Sequence, residues 1–268
     1  MPSTEPGGPS SIGSINRLPY PEKRAIYLRL VPLALLQRFH LSPFLYDSQG
    51  RDLVELRCPA GSATVEMAVY HAYGFPDPVL FGHLTDTLNG RIHVLLYILN
   101  DPDSPRFDVD RLPDGTPTRF GTLTRNLEAE EAAMRYGLAP GQVRRGLRLL
   151  GQAIAAFEAF VQSLGHDIFF AEPLYYHNAV LFERYGFAYQ SGRALMERIE
   201  RGFAPDGDLR AKLDGCTPFR RPEAVHSIRL RSWAIHDGIL GAPFTGVTMY
   251  KRVGKHAGVQ TCPPDLPW

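Results

Sequence analysis

Between residues 52 and 100 the apolar and β-branched side chains recur with the two-residue period of half-buried strands, over Asp52–Cys58, Ala63–His71, Val79–Thr87 and Arg91–Asn100. Gly, Pro or Asn separates each run from the next, because such residues end ladders or adopt turn conformations. The Leu88-Asn89-Gly90 step joins the last two runs as a hairpin, since Asn and Gly tolerate positive φ, and these two strands are therefore expected to be antiparallel. On either side of this block the period lengthens to three and four. Ile26, Leu30, Leu33, Leu36 and Phe39 mark one helical face within 21–39, which Pro32 divides into two short helices. A short helix is expected over 126–136. A longer one is expected over 140–164, where Leu147, Leu150, Ile154, Phe157, Val161 and Leu164 form a stripe and Gly165 supplies the left-handed cap. The chain then reads strand over 167–171, helix over 177–185, strand over 187–190 and helix over 193–202. A loop-rich stretch follows to Phe244, and a last strand spans 247–253.

Composition narrows what these elements build. The chain has 268 residues, 44% hydrophobic and 21% charged, which fits one large or two small globular domains and excludes a disordered polymer. Residues 1–19 are rich in Pro, Ser and Gly and read as a mobile tail, 20–254 as one domain, and 255–268 as a closing tail. Two segments, about 101–136 and 192–245, interrupt the regular order as insertions. The first holds five aspartates and four prolines between 101 and 121. Lys and Arg number 29 against 28 Asp and Glu, so no overall field draws the protein to nucleic acid or to an anionic membrane, and any basic patch is local. Neither is expected as a partner. No basic start followed by an apolar run opens the chain, and no stretch approaches the roughly 18 apolar residues of a membrane span. Cys58, Cys216 and Cys262 are scattered and lack CxxC spacing, which points to a reducing, cytoplasmic setting without a disulfide framework or zinc knuckle. No HExxH, HxH or tight carboxylate set is present, so no metal site is expected.

The segment Leu181-Phe182-Glu183-Arg184-Tyr185-Gly186-Phe187 resembles the LYEKxGF signature that closes the core of the GNAT N-acetyltransferase superfamily. The order of elements is similar as well: antiparallel strands, a long helix, a strand, a helix bearing the signature, and final strands. The resemblance implies an α+β fold, with a mixed, mostly antiparallel central sheet, helices on both faces and a V-shaped splay between two parallel strands. It also implies transfer of an acyl group from acetyl-CoA or another acyl-CoA to an amine, by direct attack within a ternary complex. The pantetheine arm would enter the splay, and the pyrophosphate would meet backbone N–H groups at the start of the long helix. On this chain that start carries Gln142, Arg144, Arg145, Gly146 and Arg148, with Asn178 aligned on a further cofactor position. The arginines suit phosphate, and equally an acidic acyl carrier protein delivering a long acyl chain. Arg148 and Leu150 stand where the family has glycines. Phe182 replaces the tyrosine that protonates the departing thiolate, which leaves Tyr185, or Tyr175 and Tyr176 upstream, as substitute hydroxyls. These two departures support an alternative, a non-catalytic member that keeps the fold as a binding module.

An amine must lose a proton to attack a thioester, so a base is needed near the sheet centre. His83, His93 and Glu66 lie on the expected strands and are the candidates, the two histidines straddling the Asn-Gly hairpin. Ser232, His236 and Asp237 in SWAIHDGI do not form a hydrolase triad if the segment is a strand, since adjacent residues then face opposite sides, and the chain has no GxSxG elbow. The insertion 192–245 is read as a lid or acceptor pocket whose aromatic lining sets substrate choice.

Overall fold

A computed structural model describes residues 8–118 and 124–268. It is a mixed α/β structure in which seven strands form one sheet, in the order β1-β2-β3-β4-β5-β7-β6. The strands are β1 (Val54–Arg57), β2 (Thr64–Val69), β3 (Leu80–Asp86), β4 (Ile92–Leu99), β5 (Ile168–Ala171), β6 (Ala188–Ser191) and β7 (Thr248–Arg252). β1 to β4 are antiparallel to their successive neighbours, and β5 lies parallel to β4. The hairpin forms where Asn-Gly placed it: Thr85 faces His93, Asp86 faces Ile92, and Gly90 takes a φ of 70°.

The chain divides into two compact units, each assembled from separate stretches. The first comprises residues 1–102, 146–172 and 250–256, and the second comprises 103–145, 173–249 and 257–268.

In the first unit, α1 (Ile12–Asn16), α2 (Tyr20–Tyr27), α3 (Leu33–Arg38) and α5 (Leu150–Ser163) accompany β1 to β5. Pro32 ends the first helical stretch and opens α3, as its fixed φ and missing N–H require. α1 lies inside the segment whose composition suggested a mobile tail; the part of that tail over 1–7 is outside the described residues. Ser11 and Ser14 form a reciprocal capping box, and the Asp86 carboxylate accepts the N–H groups of Ile12 and Gly13 at 2.8 Å each. Ile12 and Ile15 are fully buried, so here packing repays the ordering cost that composition alone set against it. α5 begins at Leu150, ten residues after the Pro140 expected from the apolar stripe, because Gly141 and Arg148 hold positive φ (77° and 60°) that no α-helix accommodates. Its far end agrees with the sequence, Gly165 turning left-handed at φ 81°.

The second unit holds α4 (Leu127–Tyr136), α6 (Tyr176–Arg184), α7 (Arg193–Phe203), α8 (Asp208–Ala211) and α9 (Ile228–His236). α4 is capped by Asn126 and closed by Gly137 at φ 99°. α9 occupies the stretch expected to be loop-rich, opened by the Ser227 hydroxyl accepting the Leu230 N–H. Trp233 is its anchor, fully buried against Phe219, with its indole N–H donated to the Leu138 carbonyl at 2.8 Å. Among the described residues no helix is long and apolar enough to cross a membrane.

Candidate functional site

β4 and β5 run together for only two residue pairs, His93 with Phe170 and Val94 with Ala171, and the Glu172 N–H closes the pairing on the Val94 carbonyl. β5 then stops while β4 continues to Leu99. At the parting β4 carries a bulge: His83 of β3 faces Leu96 and Leu84 faces Val94, so Leu95 is an extra residue. A bulge bends a strand and increases its twist, which turns β4 away from a straight continuation of the pairing. The run Leu95-Leu96-Tyr97-Ile98-Leu99 is accordingly only half-buried in a central strand, where apolar side chains are ordinarily buried throughout. Among the described residues the chain returns to this edge at its end, through the Leu147 N–H on the Leu99 carbonyl and a bridge between Asn100 and Gly146. α5 follows, and no side chain caps its first turn. Its Phe157 packs edge-on against Tyr97 and stacks on Phe169.

The base candidates share the opposite face of the sheet. Glu66 faces His83 across β2 and β3, and Thr85, two residues along from His83, faces His93. The structure thus brings all three to one surface, His83 and His93 offset along neighbouring strands. Glu66 is 3.5 Å from the Arg57 guanidinium. His93 sits in the first of the two joined pairs, one residue before the Val94–Ala171 pair at which the strands part. Its Nε2 is buried with no hydrogen-bond partner, and Phe170 packs edge-on against the ring at 6.3 Å. Burial lowers its pKa from 6.5, against the smaller opposing pull of the Glu172 charge, so the imidazole is neutral at neutral pH.

The residues expected to cradle a pyrophosphate are differently employed. Gln142 accepts the Ala139 N–H through its side-chain oxygen. Arg144 is buried and donates to the Ser104 carbonyl at 2.6 Å, while the Arg145 backbone N–H binds the Ser104 hydroxyl and its guanidinium lies 5.0 Å over the Tyr136 ring. These three belong to a loop of the second unit rather than to a helix start. Gly146 and Arg148 belong to the first unit and directly precede α5, with Arg148 exposed. Asn178 lies in the first turn of α6 but does not cap it; Tyr175 is the N-cap, without a side-chain hydrogen bond. Tyr185 ends α6, exposed. The signature around it packs: Gly186 at φ 80° lets Phe187 stack on Phe182, and buried Glu183 accepts the hydroxyls of Tyr189 and Thr261 at 2.6 Å each.

Inside the second unit Ser232, His236 and Asp237, which stand out in the sequence as a polar group, join His177, Glu130 and Arg125, which do not. On α9, Ser232 and His236 lie one turn apart and so share a face, which corrects the strand reading of SWAIHDGI. The Ser232 hydroxyl pairs with His177 Nδ1 at 2.9 Å. His236 Nε2 is 3.1 Å from Glu130, and Arg125 bridges Glu130 to Asp237, which also binds Arg220 and Thr217. Burial raises Glu130, but the hydrogen bonds from His236 and Arg125 outweigh it and hold the carboxyl below its usual value. Tyr175 stacks on His177 and meets the His236 ring edge-on, both at 5.6 Å. Burial, then the nearby His236 charge, lowers His177 to about 3. With both members of the Ser232–His177 pair buried, the pair acts as a cross-brace between α6 and α9. Among the described residues no three His, Cys, Asp or Glu side chains converge as a metal site.

Comparison of the chain with protein-family models, with curated proteins and with solved structures finds no match.

Proposed function

We propose that the protein is an acyltransferase similar to the GNAT enzymes, accepting the arm of an acyl thioester along the parted edge of β4 and transferring the acyl group to an amine. The observation that carries this reading is the parting itself: two joined pairs, then an extended apolar edge beside an uncapped helix start. An extended arm with amide groups pairs with such an edge as an added strand would, and its anionic end suits the α5 start and Arg148. Arg144 and Arg145 do not fit the role that the resemblance gave them, since Ser104 and Tyr136 occupy them. His93 is the base that the site favours over His83 and Glu66. Burial keeps its ring on the neutral side, its Nε2 has no partner, and it stands in the short paired stretch one residue before the strands part. In the transfer the amine nitrogen bonds to the thioester carbonyl carbon as the C–S bond breaks, the donor sulfur leaves as thiolate with that bond's electron pair, and the proton lost by nitrogen passes to the imidazole.

Calorimetric titration with CoA, acetyl-CoA and an acyl carrier protein tests the reading. Saturable binding of one of them is expected, and binding of none rejects it. His93→Gln is expected to leave that affinity within about twofold while lowering turnover roughly 100-fold or more, the usual range for a lost general base. A His93→Gln enzyme with full turnover removes His93 from the mechanism. The inward engagement of Arg144 and Arg145 favours a second reading, a binding module without turnover, which predicts donor binding but no thiol release with any amine.

A further inference from the structure

The bulge at Leu95 decides which way the parted stretch of β4 faces. His93 is opposite Thr85 and Leu96 is opposite His83, and these two β3 residues lie on one face, so His93 and Leu96 share it. Four residues after His93, a regular strand would bring Tyr97 back to that same face. The extra residue sends it to the other one, opposite Gly82 and on the side of Leu84 and Val94. There its ring meets Phe157 of α5 edge-on at 5.0 Å.

Two properties set Tyr97 apart from its neighbours on that face. Leu80, Gly82, Leu84 and Val94 are buried, Val94 beside Ala171 of β5, whereas Tyr97, past the end of β5, is half-buried. The ring therefore borders the gap where β5 has stopped. Its hydroxyl oxygen is nonetheless buried, and among the described residues it has no hydrogen-bond partner. Buried hydroxyls nearly always have one, because an unmade bond leaves the full cost of taking the group out of water. A phenylalanine would pack on Phe157 equally well without that cost. Burial raises the Tyr97 pKa, so the hydroxyl keeps its proton and is suited to donating a hydrogen bond, not to acting as an acid.

Thr85, opposite His93, and Gly82, opposite Tyr97, are three residues apart on β3, which is roughly 10 Å at the rise of a strand. A thioester carbonyl within reach of His93 therefore leaves Tyr97 beside the arm and away from the reacting carbon. We propose that the Tyr97 hydroxyl holds the acyl-donor arm, giving its hydrogen to an amide carbonyl of the arm as it lies along the parted edge of β4. The assignment rests on the acyltransferase reading and adds to it a division of labour between the two faces of one strand: the base on one, the grip on the arm from the other.

Calorimetric titration of the unaltered protein and of Tyr97→Phe with CoA, acetyl-CoA and acylated acyl carrier protein tests the assignment, together with urea unfolding of both proteins without ligand. Each of the three that binds the unaltered protein is expected to bind the variant about fivefold more weakly, the share of one neutral hydrogen bond, because all carry an amide-bearing arm. Turnover at saturating acyl donor is expected to stay within about twofold, the reverse of the pattern for His93→Gln. The variant is expected to unfold at the same urea concentration or a higher one, since the free protein loses no hydrogen bond. Equal affinities in the two proteins overturn the contact and leave the acyltransferase reading standing. Failure of the unaltered protein to bind any of the three overturns that reading, and the contact with it. A lower urea midpoint in the variant would show that the hydroxyl has a partner in the free protein, and lowered turnover at unchanged affinity would show that it serves the reacting carbonyl; either result overturns the assignment.

Discussion

His177 shows how strongly one buried side chain couples this fold to pH. Its ring lies between Tyr175 and Trp268 and reaches Ser232, and burial lowers its pKa from 6.5 to about 3. Between those two values the unfolded chain binds a proton that the folded chain refuses, so unfolding is favoured as acid is added. The contribution of the neutral ring is therefore whole above about 6.5 and drains away as pH falls toward about 3. Urea midpoints measured across that window are expected to fall with acid in the native protein. His177→Gln removes the titration while leaving an amide able to meet Ser232, and its midpoints are expected to change less steeply over the same window. Equal slopes for both would show that the acid sensitivity arises elsewhere. His93 follows the same sign with a smaller shift, so His177→Gln flattens the profile without levelling it.

Elements came through the sequence to the degree that their stabilisation is local. Period-two alternation and Asn-Gly located β2 to β4 and their hairpin, because the pleat and the turn are properties of adjacent residues. α1 was hidden because its cap includes Asp86, 74 residues from Ile12. α9 was hidden because its inner face carries Ser232 and His236, whose partners His177 and Glu130 lie 55 and 106 residues away and leave no local trace. The start of α5 was misplaced for a more specific reason: Leu147 continues the apolar stripe, yet it is buried by its pairing to Leu99 and not by helical packing. The parted strands entered only through the family resemblance, while His93 could be proposed from its strand position and its unpartnered nitrogen could not. Gly141 is a point where element geometry can be tested. It sits at φ 77°, and a Cβ there would lie 2.5 Å from the Tyr175 ring, so both backbone and contact exclude a side chain. Gly141→Ala is expected to cost about 1–3 kcal/mol in urea unfolding, as overpacking and positive-φ changes do. A variant that unfolds with the native protein would mean that the 138–149 loop yields without penalty.

Each compact unit is built from stretches distant in sequence, and that governs what a piece of this chain is able to do. Residues 1–102 supply α1 to α3 and β1 to β4 of the first unit, while 146–172 supply α5 and β5. A fragment ending at residue 102 would strip Phe160 from Tyr27, Phe157 from Tyr97, and the β5 pairing from His93 and Val94. β4 would then be an edge strand reading Ile-His-Val-Leu-Leu-Tyr-Ile-Leu, long, apolar and free of Asp, Glu, Lys, Arg, Pro and Gly. Edges of that kind recruit other chains through their open ladder groups, and this one has none of the charges or prolines that guard natural edges. Fragment 1–102 is therefore expected to aggregate at concentrations where the whole chain remains dispersed, as light scattering and sedimentation would record. Supplying 146–172 as a separate peptide is expected to restore part of the soluble material, since it returns both the covering helix and the parallel neighbour. A soluble 1–102 that melts cooperatively by itself would show instead that β1 to β4 and the first three helices form a self-sufficient core, with α5 and β5 added to it for the site and not for stability.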